Sequence, residues 1–509
     1  MAQVLPFNGF YTGNDPKNSA RECVNFIPVR HDAGSLSEYT LESTTGITGP
    51  ISKAYIRPPG NILSDVVTWG SKFVGITGAK ILAVTSQRFL IAASGDNSES
   101  FDLPDYGGIV YDVRFAKGSD KLLINTRSTE STQLGWVYDG QTSPVSVNYT
   151  TQLGLGGNEN IADVVYFGDR YLLMSEGETG VHKGRVYYSA IGDPSSYDAL
   201  SFFRTLEQNS KNTGIHILNG RLYLFSDDGY SVWSVSPDVN LPFSQQKGSA
   251  GSIGMLDPMG KCESGGVLYF IGRDGTKLGF YAMTGGSPEL ISTPAIDDVL
   301  NKDSDKSFVN CFDFIDGGRK YIAFSIGDYT LCLDAKTGEY HRRSTEGGRW
   351  EVVGAGYNEL DNNKQVFFGK TTLFDSGSNY FVKSGFSDQS IGTEFDELVN
   401  RKLVTSPFNS NGVSNIVQEL SFQTSIDYSS LSPVTLPELS LSISSDFGST
   451  YNSVRTNSFD EEGENTKLLR FMSIGFFRQA FVFKIETSNI YPHKILKMLT
   501  RLKKGFRQI

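Results

Sequence analysis

"LNGRLYLFSDDG", residues 218–229, places a short strand between two turns. Asn219-Gly220 is a two-residue hairpin signal, because both residue types accept the positive φ that a tight turn demands. Leu222, Tyr223, Leu224 and Phe225 make the strand, and Asp227-Asp228-Gly229 turns the chain again. The same phrase recurs along the chain. Gly70-Ser71 precedes "KFVGI", Gly118-Ser119-Asp120 precedes "KLLI", and Gly168-Asp169 precedes "RYLLM". Gly265-Gly266 precedes "VLYFI", Gly317-Gly318 precedes "RKYIAF", and Asn362-Asn363 precedes "KQVFFG". The seven markers are 45 to 52 residues apart. Most follow another apolar run, such as "ADVVYF" or "VNCFDFI", and most lead into a second hairpin, such as "RVYYSA" or "YTLCLD". Each unit therefore holds about four short strands. Turn-rich strands at this period are the signature of β-propeller blades, each burying its faces against its neighbours. The repeat predicts an all-β chain with a propeller of about seven four-stranded blades, six being the alternative count.

The two ends leave the period. Residues 1–58 read as an extended N-terminal arm with one or two strands. Residues 59–385 hold the propeller. Residues 386–509 carry alternating strands, "ELSFQTSID", "LSLSISS", "FVFKIET" and "KILKMLTRLKK", which predict a smaller β-sandwich-like domain that would form a channel or platform. A polar connection, "TSPFNSNGVSN" (405–415), and an acidic loop, "FDEEGENTK" (459–467), separate some of these strands.

Composition narrows the function. The chain has 509 residues and a net charge of −10, so a surface coated with nucleic acid is not expected, since phosphate binding needs clustered Lys and Arg. Cys23, Cys262, Cys311 and Cys332 are far apart in sequence and form no CxxC pair. Neither a zinc site nor a disulfide framework is expected, and a reducing compartment fits. No basic-then-apolar leader is visible, and no apolar run reaches the roughly 18 residues that span a bilayer. The expectation is a soluble protein made in a cytoplasm.

Catalytic motifs are missing. Gly369-Lys370-Thr371 resembles the end of a phosphate loop, but residue 364 is Lys where that motif needs Gly. "LGLGGNEN" (153–160) lacks the third glycine of a dinucleotide fingerprint. His31, His182, His216, His341 and His493 are scattered and are expected at surfaces and turns. No metal, cofactor or small-molecule substrate is expected. "SSDFGSTY" supplies Ser444, Asp446, Gly448, Thr450 and Tyr451, which resemble the structural Asp-box hairpin of sialidase-like propellers. That motif keeps a carbohydrate-active propeller enzyme as one alternative function, and a protein-binding propeller scaffold is another. A sialidase would also need an arginine cluster and a Tyr nucleophile with an acidic partner, which the sequence does not identify. The C-terminal run concentrates Lys494, Lys497, Arg501, Lys503, Lys504 and Arg507 in an acidic chain. These basic residues are expected at a solvated strand face or a subunit contact near acidic neighbours such as Asp460, Glu461 and Glu462, the sharper alternative being contact with passing DNA.

Several segments carry a family resemblance. "VNFIPVR" (24–30) with "LESTTGITG" (41–49), "DGYSVWSVSPD" (228–238) and "PFSQQKGSAGSIG" (242–254) occur in order. "KLVTSPF" (402–408), "LSLSISSDFGSTYN" (439–452) and "FFRQAFVFKIET" (476–487) complete the set. Together the chain resembles the tail nozzle, or packaged-DNA stabilisation (tail hub), proteins of short-tailed bacteriophages (podoviruses). The resemblance departs at the "PGI"-like turn, here Thr45-Gly46-Ile47, and in its unequal repeat lengths. It implies a structural virion protein of the phage tail, made and assembled in the host cytoplasm, with no enzymatic activity. It implies a homo-oligomer, a hexameric ring that extends the portal-adaptor channel, retains packaged DNA and conducts it during ejection. The implied partners are a phage adaptor or head-completion protein above, tail fibre, spike or needle proteins, and double-stranded DNA passing without sequence-specific binding.

Overall fold

The computed structural model describes residues 2–5, 22–31, 39–46, 67–75, 78–84, 88–92, 98–102, 110–128, 132–139, 144–156, 159–177, 180–204, 211–238, 240–302, 306, 308–358, 364–369, 393–394, 397–409, 413–426, 438–452, 454–459, 466–477, 480–488 and 493–507. The expected boundaries at 58/59 and 385/386, the Asn362-Asn363 turn, Lys370-Thr371 and the acidic residues 460–465 lie outside the described residues.

Each repeat unit is an antiparallel sheet whose strands pair in chain order, except that the first two strands of the fifth both pair with its third. The seven sheets occupy residues 67–102, 110–148, 161–204, 212–245, 253–290, 309–343 and 352–369. The first four have four strands each, and the fifth has five. The sixth contributes its four strands to a longer sheet, and the seventh shows two strands among the described residues. The marker turns join first to second strands as the residue types require. At Gly168-Asp169, Asn219-Gly220, Gly265-Gly266 and Gly317-Gly318 both central residues have positive φ, between 51° and 77°. That is the turn whose twist matches paired strands. Gly70-Ser71 behaves differently. It lies inside the strand Val67–Gly75, where the register against Gly78–Val84 shifts between Thr68 and Lys72. A glycine-bearing bulge and a glycine-bearing turn share one sequence signal, since both need irregular backbone.

The first strand of each sheet lies against the first strand of the next, except that the fifth meets the sixth through Lys261–Ser264, and Val352–Asn358 of the seventh lies against Val67–Gly75 of the first. The ring thus closes into a β-propeller. The opening stretch shows what holds it. On Arg221–Ser226, Leu222 and Leu224 enter one apolar cluster with Met174, Phe203 and Trp233. The alternate residues Tyr223 and Phe225 enter the next cluster with Phe270 and Met283. A strand whose two faces are both covered buries every side chain, which explains an unbroken apolar run in an antiparallel sheet. Each such side chain contributes about 1.5–3 kcal/mol on burial.

The expected arm is built into the C-terminal sheets and supplies four strands among the described residues, against the one or two expected. A six-stranded antiparallel sheet runs Phe26–Arg30, Tyr39–Ser43, His493–Arg507, Val413–Ile426, Thr466–Phe477, with Ala2–Leu5 also paired to His493–Arg507. Its inner face, including Leu420, Phe422, Phe471 and Ile495, packs on Leu441, Phe481, Phe483 and Ile485 of a second sheet. That second sheet is continuous with the sixth blade. Glu22–Val24 pairs in parallel with the blade's outer strand Tyr340–Arg343 and antiparallel with Asn400–Val404. The sheet then continues through Ala480–Ser488, Glu438–Ser444 and Arg455–Ser458. Three residues of the N-terminal segment therefore join propeller to sandwich. No helix among the described residues is long and apolar enough to cross a membrane.

Candidate assembly site

The join is polar and buried. Asn25 follows the bridging strand with φ 56°, a left-handed backbone that Asn tolerates better than most residues. This geometry lets one side chain reach two segments. Its Nδ2 donates to the Ser344 carbonyl at 2.9 Å and to the Asn400 carbonyl at 2.7 Å. Its Oδ1 accepts from the Ser344 N–H at 2.9 Å. Its backbone N–H donates to the Arg342 carbonyl at 2.8 Å.

Beside it, the buried Arg343 guanidinium donates to Asp316, which also accepts from the Thr45 hydroxyl at 2.5 Å. The Trp350 indole donates to Glu394 at 2.6 Å, and the Thr345 hydroxyl donates to the same carboxylate at 3.1 Å. Burial pushes the Glu394 carboxyl up, against the opposing pull of Arg343 and its two donors. Burial likewise lowers the Arg401 guanidinium to about 10. His341 is buried, and desolvation, then Arg343, hold its imidazole well below its ordinary value. This cluster fixes how the sandwich sits on the sixth blade.

A cleft of about 370 Å³ opens along this seam. Glu22 lies in it between Lys402 at 2.7 Å and Arg342 at 3.6 Å. Arg342 stacks 4.5 Å over the Tyr329 ring, and Lys484 lies 5.3 Å over the Tyr451 ring. Tyr451 belongs to the Asp-box-like hairpin. There the Ser444 hydroxyl donates to Asp446 at 2.6 Å, and Thr450 donates its N–H at 2.9 Å and its hydroxyl at 2.5 Å to the same carboxylate. The Gly448 N–H donates to Ser444 Oγ at 2.8 Å. These donors, Ser444 first, hold the Asp446 carboxyl well below the usual carboxylate range. The hairpin closes on itself, and its polar groups are occupied in holding the turn.

All six C-terminal basic residues lie on His493–Arg507. Strand alternation, corrected for a bulge near Ile495, puts Lys494, Lys497, Arg501 and Lys503 on the face away from the sandwich core. Lys494 pairs with Glu42 at 2.7 Å. Arg501 and Arg470 approach Glu419 at 3.8 and 3.7 Å. Across the same face, cross-strand register places Ile416 and the exposed Phe476 beside Lys503, and the exposed Met472 beside Glu419. Lys504 and Arg507 continue the strand opposite Asn415 and Val413. The result is an outward sheet face of mixed cationic and apolar character.

The propeller centre is different. Asp163 on the third sheet's first strand accepts from Lys261 of the fifth sheet, lies 3.8 Å from Arg114 of the second, and accepts from the Ile215 N–H of the fourth at 3.1 Å. Arg127 joins Glu176 at 2.5 Å and Asp257 at 3.5 Å. Three carboxylates are thus matched by three cations across the middle of the ring. His341 and His493 are buried within strands rather than at surfaces or turns, and His182 sits in a turn as expected but is buried there. They serve as packing groups: His493, for example, meets the Phe26 ring edge-on at 5.6 Å. Among the described residues, no group of His, Cys, Asp or Glu is arranged to hold a metal.

Sequence reasoning missed Asn25, the Arg343–Asp316–Thr45 cluster and the Asp163–Lys261 pair. Their partners lie tens to hundreds of residues away, and the one local signal was a lone Asn between two apolar runs.

The family described as "Phage_stabilise: Bacteriophage P22 Gp10, beta-propeller" matches residues 78–380. No curated protein matches the chain. Solved structures include an exo-β-1,3-galactanase from Phanerochaete chrysosporium, at 9% identity and TM-score 0.32, covering 86% of this chain and 100% of that one. They also include the Nup133 β-propeller domain of Vanderwaltozyma polyspora, at 12% identity and TM-score 0.35, covering 63% and 97%. Apo AztD from Citrobacter koseri matches at 10% identity and TM-score 0.36, covering 67% and 94%. At these TM-scores the structural likenesses carry no argument.

Proposed function

The chain belongs to the phage-stabilisation family typified by the bacteriophage P22 Gp10 β-propeller, a bacteriophage tail protein involved in DNA stabilisation, and from that premise we propose that it works as a ring-forming conduit. Six copies surround a channel below the portal and its adaptor, hold packaged DNA in, and let it pass at ejection. Tail fibre, spike or needle proteins dock on the same assembly. The protein is a virion component, assembled in the host cytoplasm, and performs no chemistry on a substrate.

The observation that carries this reading is the family match over most of the propeller, 78–380. Two features support it. The outward sheet face bearing Lys494, Lys497, Arg501 and Lys503 beside the exposed Met472 and Phe476 is the mixture that a subunit contact covers. A net charge of −10 disfavours many phosphate ion pairs, so DNA slides rather than sticks. A glycosidase reading is weakened by the propeller centre. There Asp163, Glu176 and Asp257 are each engaged by a cation, whereas glycoside cleavage uses one carboxyl kept protonated and one carboxylate at the scissile bond.

The test is electron microscopy of the purified chain with its adaptor, alongside an assay of glycoside hydrolysis. Six-fold rings with a central opening and no turnover support the conduit. A chain that never assembles on the adaptor yet cleaves a glycoside contradicts it.

A further inference from the structure

Two of the four thiols meet between blades. Cys262 lies on Lys261–Ser264 and Cys311 on Val309–Asp316, the inner strands of the fifth and sixth sheets. Their sulfur atoms are 3.3 Å apart, across 49 residues of sequence. Both are free thiols. Cys23 and Cys332 are buried in two other apolar clusters, away from this pair. The position is mechanically distinct. Elsewhere a continuous first strand lines the ring, but in the fifth sheet that role is split between Ile253–Met255 and Lys261–Ser264, with the short turn Pro258–Gly260 between them. The inner ladder is interrupted beside the thiol pair.

We propose that Cys262 and Cys311 form an intramolecular cross-linking site that closes to a disulfide when the folded protein meets an oxidant such as hydrogen peroxide. Cys262 is partly exposed and Cys311 is buried, so the oxidant meets Cys262 first. The Cys262 thiol reacts with peroxide to give a sulfenic acid and one water. The Cys311 thiol then attacks the Cys262 sulfur, the S–O bond breaks, and a second water leaves. Overall two thiols and one peroxide give one disulfide and two waters. The sulfurs must approach by about 1.3 Å to reach bonding distance. The product ties the interrupted inner strand of the fifth blade to the continuous inner strand of the sixth, and a thiol reductant reverses it. The site needs only the folded propeller, so it does not depend on ring assembly.

The experiment treats the folded full-length protein with hydrogen peroxide, then denatures it, counts free thiols and maps the non-reduced digest by mass spectrometry. The expected result is a fall from four thiols to two, an intact mass lower by two hydrogens, and one linked peptide joining Cys262 to Cys311. Cys262→Ser should abolish the link, and the double variant Cys23→Ser, Cys332→Ser should retain it. Four surviving thiols, oxygen added at Cys262 without a link, or a link through Cys23 or Cys332 would each overturn the proposal.

Discussion

The propeller and the sandwich are both all-β, yet they are held together in opposite ways. Away from the ion pairs of the ring's centre, the packing between consecutive blades is apolar and local. Leu222, Tyr223, Leu224 and Phe225 alternate into two clusters whose other members come from the same blade and from the units next to it in sequence. At the sandwich join the contacts are polar and remote. Asn25 meets Ser344 and Asn400, which are 319 and 375 residues away. A repeat can be written once and copied, because each unit solves the same packing problem against its neighbour. A join between the chain's two ends is written once only, and buried hydrogen bonds give it a single register.

This contrast can be broken at graded points. The largest effect is expected at Asp316→Ala, which removes the carboxylate from the buried Arg343 guanidinium. Breaking such a pair costs about 4 kcal/mol. The loss should register as a lower urea midpoint, and a variant as stable as the parent would remove the cluster from the account. Next comes Leu224→Ala in the apolar seam between the third and fourth blades, where the side chain is fully buried. A cavity there costs about 3 kcal/mol, and unfolding should report it without change in oligomeric state.

Asn25→Ala sharpens the comparison most, since it attacks the join and leaves the blades intact. Loss of buried hydrogen bonds should cost about 2 kcal/mol. Hydrogen exchange should quicken in the strand Asn400–Val404 and in residues 480–488 while residues 161–226 keep their protection. Equal loosening in both places would mean that propeller and sandwich are one cooperative unit. Asn219→Ala is a smaller change. The turn needs φ 51° there, and the side chain donates to the Thr284 carbonyl at 2.8 Å, so about 1 kcal/mol is expected.

The smallest effect needs only acid. His341 is held neutral in the fold, with its value depressed below 6.5. Between that depressed value and 6.5 the unfolded chain binds the extra proton, so stability rises with pH through this window and levels off above it. Stability should therefore fall as the pH drops from 7 to 6. Comparing the pH slope of the parent with that of His341→Gln isolates the term, and identical slopes would remove His341 from the balance.

The propeller was legible because its signals are local. Asn219-Gly220, Gly265-Gly266 and Gly317-Gly318 state their own backbone conformation, and the strand after each states its burial. Gly70-Ser71 misled because glycine permits a bulge as readily as a turn. The alternating C-terminal strands announced a sandwich, but nothing near Glu22 or Ala2 says which strand will accept them. The six basic residues were visible as a run, whereas the cross-strand neighbours Glu419, Met472 and Phe476, which decide the character of that face, became visible only with the register. Cys262 and Cys311 look unrelated until two inner strands bring them together.

The central claim is that one chain closes a ring of seven sheets and welds it to a sandwich through Glu22–Val24. A cryo-electron map of the protein assembled on its adaptor tests it directly. The account predicts seven radial sheets per copy, with this strand lying between Tyr340–Arg343 and Asn400–Val404 of its own chain. A map in which the strand crosses to a neighbouring copy, or in which the sixth blade and the sandwich are separate sheets, would contradict it.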